Sequence, residues 1–175
     1  MGTKPKSIPT QAPPSPGRVT EGLRATIADP RARPGAFIRL RVTGGVRGES
    51  YDFEYRIDAE GREAGHLRDE LKGRRAEKGM ADAPASDPAR FAALVRALDL
   101  EALMRSDTPA GGFPPDSIVG RLEVSDGEKT ASFLFLADEK QARRAMRAAP
   151  AALGSAIDSL FGAAARYLNI EDVRP

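Results

Sequence analysis

The sequence predicts an α+β fold: a four-stranded, mainly antiparallel sheet made of two hairpins and packed on helices. Three observations predict this fold: two pairs of segments in which apolar and polar residues alternate, a helical stripe of apolar residues between the pairs, and a second helical stripe near the C-terminus. Strands with one apolar face need helices to cover that face. We therefore expect a single α+β domain in residues 35–175, preceded by a flexible arm in residues 1–34.

The arm is predicted from its composition. Residues 1–34 contain seven of the fourteen prolines, and six basic residues against two acidic ones. Such a segment is expected to be disordered or extended by itself. Within it, VTEGLRATI at 19–27 is a short stretch that packing against the body or against a partner can order.

The first hairpin is predicted to join residues 36–43 to residues 50–58. In both segments every second residue is apolar, which indicates two half-buried strands. The apolar positions are Ala36, Ile38, Leu40, Val42, Tyr51, Phe53, Tyr55 and Ile57. The residues between them are mostly charged, so we expect the opposite face of the sheet to meet water or a partner.

The glycines between these two strands, in TGGVRG at 43–48, fit either a phosphate-binding loop or a hairpin loop. A phosphate-binding loop leads into a helix whose N-terminus holds the anion. Here Gly48 is followed by the alternating pattern of a strand. We interpret the segment as a hairpin loop, in which glycines accept a positive φ at low cost.

The charged and Ala-rich residues 62–86 predict a frayed helix or the start of a strand, followed by a loop. Gly73 and Gly79 argue against one long helix there. Residues 87–104 predict the clearest helix, with Asp87 as its N-cap, Pro88 at its first position and a stripe of apolar residues at helical spacing. The stripe consists of Phe91, Leu94, Val95 and Leu98.

The C-terminal third predicts the second hairpin and two more helices. Residues 117–137 alternate on both sides of Asp126-Gly127, which is a strong tight-turn signal. DEKQARRAM, from residue 138, predicts a short helix, and Pro150 begins another. The apolar stripe of that last helix consists of Leu153, Ile157, Leu160, Phe161, Ala164 and Leu168.

Catalytic side chains are scarce. The chain has no cysteine, which excludes disulfides, thiolate zinc sites and cysteine nucleophiles and suits a reducing cytoplasm. The single histidine, His66, lies in a polar segment and fits a surface residue better than a catalytic one. We therefore expect no enzyme, no cofactor, no metal site and no small-molecule substrate.

The composition also disfavours two classes of partner, nucleic acid and the membrane. The formal net charge is only +2 and the basic excess lies in the arm, which disfavours nucleic acid. No stretch of about 18 apolar residues is present to span a membrane, so we expect no membrane partner. The remaining expectation is another protein, bound in the cytoplasm.

Two glycine-containing loops are the candidate binding sites. The first is formed by Gly44, Gly45, Val46, Arg47 and Gly48. The second precedes the second hairpin and is formed by Gly111, Gly112 and Phe113. An exposed Phe113 braced by two prolines would anchor an interface at low entropic cost. The alternative is that Phe113 packs in the core.

The chain resembles the emfourin family, small bacterial protein inhibitors of thermolysin-like metallopeptidases. The matching segments are RVTGGVRG, YDFEYRID, FAALVRALDLEAL, PPDSIVGRLEVSDGEKTASFLF and PAALGSAIDSLF, over about residues 35–168. The resemblance implies a non-enzymatic inhibitor that occupies a peptidase cleft with residues near 44–48, aided by residues 110–115. The alternative is a structural or adaptor subunit of a larger bacterial assembly, tethered by the basic arm.

Overall fold

The computed structural model describes residues 16–46, 49–79, 86–105, 113, 117–137 and 151–175. They form four helices and six strands. The helices are α1 (Pro16–Ala28), α2 (Pro88–Ala97), α3 (Leu100–Met104) and α4 (Ala151–Leu168). The strands are β1 (Ala36–Val46), β2 (Glu49–Asp58), β3 (Glu63–Asp69), β4 (Arg74–Lys78), β5 (Val119–Asp126) and β6 (Thr130–Leu136).

The strands form one sheet in the order β4-β3-β2-β1-β5-β6, and every neighbouring pair is antiparallel. The predicted α+β class and both predicted hairpins are confirmed. The predicted number of strands is wrong, because the sheet has six strands rather than four. The two hairpins meet in the middle of the sheet, where β1 pairs with β5.

The two additional strands lie in residues 62–86, where the sequence predicted a frayed helix or the start of a strand and then a loop. The inward positions of β3 include the two acids Glu63 and Asp69 and the glycine Gly65, so an apolar alternation is hidden. Both acids are buried against arginines: Glu63 against Arg90 and Asp69 against Arg74. The formation of β3 thus depends on Arg90, which is distant in sequence, and on Arg74, which follows a turn.

The segment predicted as a flexible arm contains helix α1. The prediction of a disordered or extended arm is therefore wrong for residues 16–28, whereas the option that residues 19–27 become ordered against the body is confirmed. Val19 and Leu23 are buried, and the helix packs on α2, α3, β5 and β6. Gly22 lets the helix approach the sheet, because a Cβ there would lie 2.2 Å from Asp126 Oδ2. Residues 1–15 of the predicted arm lie outside the described residues.

The helix predicted over residues 87–104 is two helices. Asp87 accepts a hydrogen bond from the Ala89 N–H and Pro88 opens α2, as predicted. The chain becomes extended at Leu98, and Asp99 then caps α3 by accepting from the Ala102 N–H at 3.1 Å. A second N-cap directly after the apolar stripe thus divides the predicted helix.

The helices cover the apolar face of the sheet, as predicted. The stripe of α4 is buried, and Phe161 packs against Phe53 of β2 in a tilted arrangement with ring centroids 5.4 Å apart. The opposite face is open and charged, which confirms the predicted pattern. Its ion pairs include Arg39 with Glu123 at 2.6 Å. The short helix predicted from residue 138 lies outside the described residues.

Candidate protein-binding site

The register of the sheet brings several predicted site residues to one end, which we call the Val46 end. Val46 pairs with Glu49, Thr43 with Val119, and Tyr51 with Asp69. The β1–β2 connection, the chain entering β5 and the β3–β4 turn therefore lie at this end. The opposite end, the Asp58 end, carries the β2–β3 and β5–β6 turns.

The first predicted loop is shorter than the sequence indicated. Gly44, Gly45 and Val46 belong to β1 and pair with residues of β2, so their assignment to a loop is wrong. Glycine lacks a side chain but keeps both backbone hydrogen-bonding groups, so it can remain in a ladder when the partner strand continues. Arg47 and Gly48, which connect the strands, lie outside the described residues.

Gly44 joins the two predicted loops. A Cβ at Gly44 would lie 2.5 Å from Ser117 O and 2.7 Å from Ile118 Cα. Any larger side chain would push these backbones apart. The chain that leads into β5 thus lies directly against the end of the first hairpin, although the two segments are separated by about seventy residues.

The second predicted loop is described only at Phe113, since Gly111 and Gly112 lie outside the described residues. Phe113 is partly exposed and does not belong to the hydrophobic core. It precedes Ser117 by four residues, so its Cα lies within about 14 Å of the Val46 end. Phe113 thus lies between the two alternatives, because it is neither fully exposed nor part of the buried core.

The β3–β4 turn adds a residue that the sequence analysis missed. Leu71 is 49% exposed, and it is the one large hydrophobic side chain in the described part of the chain that is so exposed. An apolar residue in a turn, between Glu70 and Lys72, was a visible signal. The sequence prediction for residues 62–86 did not include the hairpin of β3 and β4, so Leu71 was not assigned to a turn.

Hydrogen bonds hold this turn in place. The Glu70 N–H donates to Ser50 O at 3.0 Å, and the Lys72 N–H donates to Asp69 Oδ1 at 3.1 Å. Gly73 has φ +61, the left-handed value that glycine adopts at low cost. Hydrogen bonds from the side chain and backbone of Ser50, and then from Arg68, lower the pKa of Glu70 and keep it ionised beside Leu71.

The C-terminal residues also form hydrogen bonds with this turn and with the start of β4. Lys72 Nζ donates to Arg174 O at 3.3 Å, and Arg74 Nη2 donates to the same carbonyl at 2.8 Å. The Tyr51 hydroxyl donates to the carbonyl of Val173, a residue that is fully buried. Leu71 is therefore exposed on a turn that hydrogen bonds hold in place.

His66 lies on the open face of the sheet, as expected for a surface residue. Its Nε2 is 3.3 Å from Asp52 Oδ2, and the two side chains are 38% and 45% exposed. Among the described residues, no group of three or more His, Asp or Glu side chains is placed to hold a metal ion. None of the helices that the structure describes is long and apolar enough to cross a membrane.

A cleft of about 1200 Å³ lies between α2, α4 and strands β2 to β4, away from the Val46 end. The most buried charged residue of its lining is Glu63. This carboxylate accepts the Tyr55 hydroxyl at 2.6 Å and Arg90 Nη1 at 3.1 Å. Each of its two oxygens thus accepts a hydrogen bond from a neighbouring side chain, which holds Glu63 in the cleft wall.

Comparison with known proteins adds no relative: no model of a protein family matches the chain, and no curated protein matches it.

Proposed function

We propose that the chain is a non-enzymatic protein-binding domain that inhibits a thermolysin-like metallopeptidase in the cytoplasm, and that it binds through the Val46 end of its sheet. One observation carries the choice of surface. The end of the first hairpin, the entry to β5 and the turn with the exposed Leu71 converge there. The class of partner rests on the sequence resemblance.

The physical character of this end supports the proposal. An apolar side chain on a pre-ordered backbone can be buried at an interface with little loss of conformational entropy. Leu71 is presented by a turn held to Ser50 on one side and to the C-terminal residues on the other. The ionised Glu70 beside it contributes charge at the rim of the same surface.

A titration of peptidase activity tests this proposal. Wild-type protein and the variant Leu71→Asp are added in increasing amounts to a thermolysin-like peptidase. Wild type is expected to inhibit, and the variant to inhibit at least about tenfold more weakly, because its new carboxylate must be desolvated at the interface. The matched control Ala89→Asp introduces the same side chain at an exposed position near the Asp58 end and is expected to inhibit like wild type.

The outcomes separate the two parts of the proposal. Absence of inhibition by wild type at large excess would reject the inhibitor function. Equal inhibition by wild type and Leu71→Asp would reject the Val46 end as the surface. Far-ultraviolet circular dichroism of each variant establishes that a lost effect comes from the interface and not from unfolding.

A further inference from the structure

The two edges of the sheet differ in a way that indicates a second interaction surface. Among the described strands, β4 forms one edge and β6 the other. An edge strand presents unpaired backbone N–H and C=O groups, and proteins protect such edges with charges, prolines, bulges or covering segments.

The β4 edge is protected in two of these ways. Four of its five residues are charged, with Ala76 as the exception. It is also tied to the C-terminal part of the chain, because Lys78 Nζ donates to Tyr167 O at 2.8 Å and Arg74 Nη2 donates to Arg174 O. An incoming strand would have to displace these contacts and desolvate the charges.

The β6 edge has none of the protective features within its own sequence. Thr130–Leu136 reads TASFLFL, with no charge and no proline, and it pairs residue by residue with β5 without a bulge. Leu134 and Leu136 on its open face are partly exposed. A regular, uncharged and partly apolar edge of this length is a template for another strand.

We propose that the outer edge of β6 pairs antiparallel with β6 of a second copy of this chain, joining two sheets into one of twelve strands. A second copy is favoured as the partner because pairing two uncharged strands buries no unpaired charge. Since β6 has no charged residue, two copies of β6 satisfy this requirement. A two-fold axis through Phe133 pairs Ser132 with Leu134 of the partner subunit. The axis is perpendicular to the sheet, so the helix-covered faces of both copies lie on the same side.

The symmetry also gives β6 a favourable side-chain pattern. Phe133 faces the partner's Phe133 on the covered side, where both rings are already shielded from water. Aromatic pairs across antiparallel strands are stabilising. On the open side, Ser132 meets the partner's Leu134, and no like charges oppose each other. Closed two-fold pairing of this kind is the commonest form of oligomer.

The pairing is tested on the full chain by size-exclusion chromatography with light scattering over a range of concentrations. Wild type is expected to show a mass approaching twice the 18.7 kDa of one chain. The double variant Ser132→Lys with Leu134→Lys places ammonium groups opposite each other and is expected to be monomeric. The double variant Ser132→Glu with Leu134→Lys places a carboxylate opposite an ammonium and is expected to remain dimeric.

Two further measurements keep the test decisive. Glu77→Lys adds a lysine to the β4 edge and is expected to leave the dimer unchanged. In wild type, the amide hydrogens of β6 are expected to exchange more slowly as the concentration rises. A wild-type protein that is monomeric throughout, or a Lys/Lys variant that remains dimeric, overturns the proposal. So does a folded Glu/Lys variant that is as monomeric as the Lys/Lys variant. This test is independent of the peptidase assay.

Discussion

At the scale of the residue, the buried carboxylate of Glu63 shows how charge can be placed in this core. It is 8% exposed and lies on the inner face of β3. An ionised carboxylate in such a place is tolerated only when its oxygens are paired. Tyr55 and Arg90 provide that pairing, and Arg90 also contacts Asp87 at 3.4 Å.

Removing the Tyr55 hydroxyl is expected to destabilise the fold. In Tyr55→Phe, Glu63 Oε1 loses its donor while remaining buried, so the free energy of unfolding should fall by about 1–3 kcal/mol. Urea unfolding followed by circular dichroism measures the change. Ser159→Ala removes a hydroxyl that bonds Ser155 O on α4 at a partly exposed site, and its effect should stay within about 0.5 kcal/mol. Equal effects of the two substitutions would contradict this role of Tyr55.

The two buried tyrosines also predict a loss of stability in alkali. Burial, the largest cause for both residues, raises the pKa values of Tyr51 and Tyr55 well above the usual value of about 10, and for Tyr55 the hydrogen bond with Glu63 adds to the effect. The folded state therefore favours the neutral phenols. Their contribution is complete below about pH 10 and is lost as the pH rises from there towards the folded-state pKa values.

We expect the melting temperature of wild type to fall more steeply between about pH 10 and about pH 12 than that of Tyr55→Phe, which lacks one of the two groups. Differential scanning calorimetry at several pH values measures both slopes. Parallel slopes for wild type and variant would show that Tyr55 does not contribute.

At the scale of the element, the predictions from sequence succeeded where one face of a strand is uniformly apolar. Residues of β1, β2, β5 and β6 alternate in this way. In β3, the inward positions read Glu63, Gly65, Leu67 and Asp69. This face can be buried because Tyr55 and Arg90 pair with Glu63 and Arg74 pairs with Asp69. Such pairing depends on tertiary contacts, so the local sequence shows no alternation of apolar and polar residues.

The candidate site was predicted in part for the same reason. The sequence identified the region of residues 44–48 and Phe113, but assigned Gly44, Gly45 and Val46 to a loop. The position of Leu71 follows from the pairing of β3 with β2 and of β4 with β3, because this register places the turn beside Ser50. Convergence of distant segments at one end of a sheet depends on strand order, which no single segment specifies.

The break between α2 and α3 gives a prediction for an element. Asp99→Ala removes the side chain that accepts the Ala102 N–H and is expected to lower the free energy of unfolding by about 0.5–2 kcal/mol. Asp99→Asn keeps a capping acceptor and should lose markedly less. Thermal unfolding of the three proteins measures the difference. If alanine and asparagine are equivalent, the cap is not what separates the helices.

At the scale of the whole molecule, helix α1 is part of the domain. Besides its buried residues it forms an ion pair at the surface, with Arg24 Nη2 2.7 Å from Glu101 Oε1, and the chain after it returns to the sheet, where Arg33 contacts Asp126 at 3.3 Å. Any test of the N-terminal arm must therefore leave residues 16–34 in place.

Deletion of residues 1–15 distinguishes an inhibitor from an adaptor tethered by its N-terminus, and deletion of residues 1–34 tests the contribution of α1 to the fold. Removing residues 1–15 is expected to leave stability and inhibition unchanged, because the Val46 end is formed by later segments. Removing residues 1–34 also deletes the buried Val19 and Leu23 and should cost about 3 kcal/mol or more. Urea unfolding and the peptidase assay measure the two effects. Loss of a co-purifying assembly after the shorter deletion, with inhibition absent in both proteins, would favour the adaptor.

If the β6 edges pair, the antiparallel arrangement places the two Val46 ends at opposite ends of the joined sheet. Two partners can then bind without meeting each other. The pairing depends on β6 and the inhibition on the Val46 end, so each can be lost without the other.

Contact between the Val46 end and the peptidase is measured by amide hydrogen exchange, with and without a thermolysin-like peptidase. We expect slower exchange on binding in residues 43–51, 69–74 and 113–119, with little change in the turns of the Asp58 end at residues 59–62 and 127–129. Protection confined to those two turns, or no protection anywhere in the chain, would contradict binding through the Val46 end.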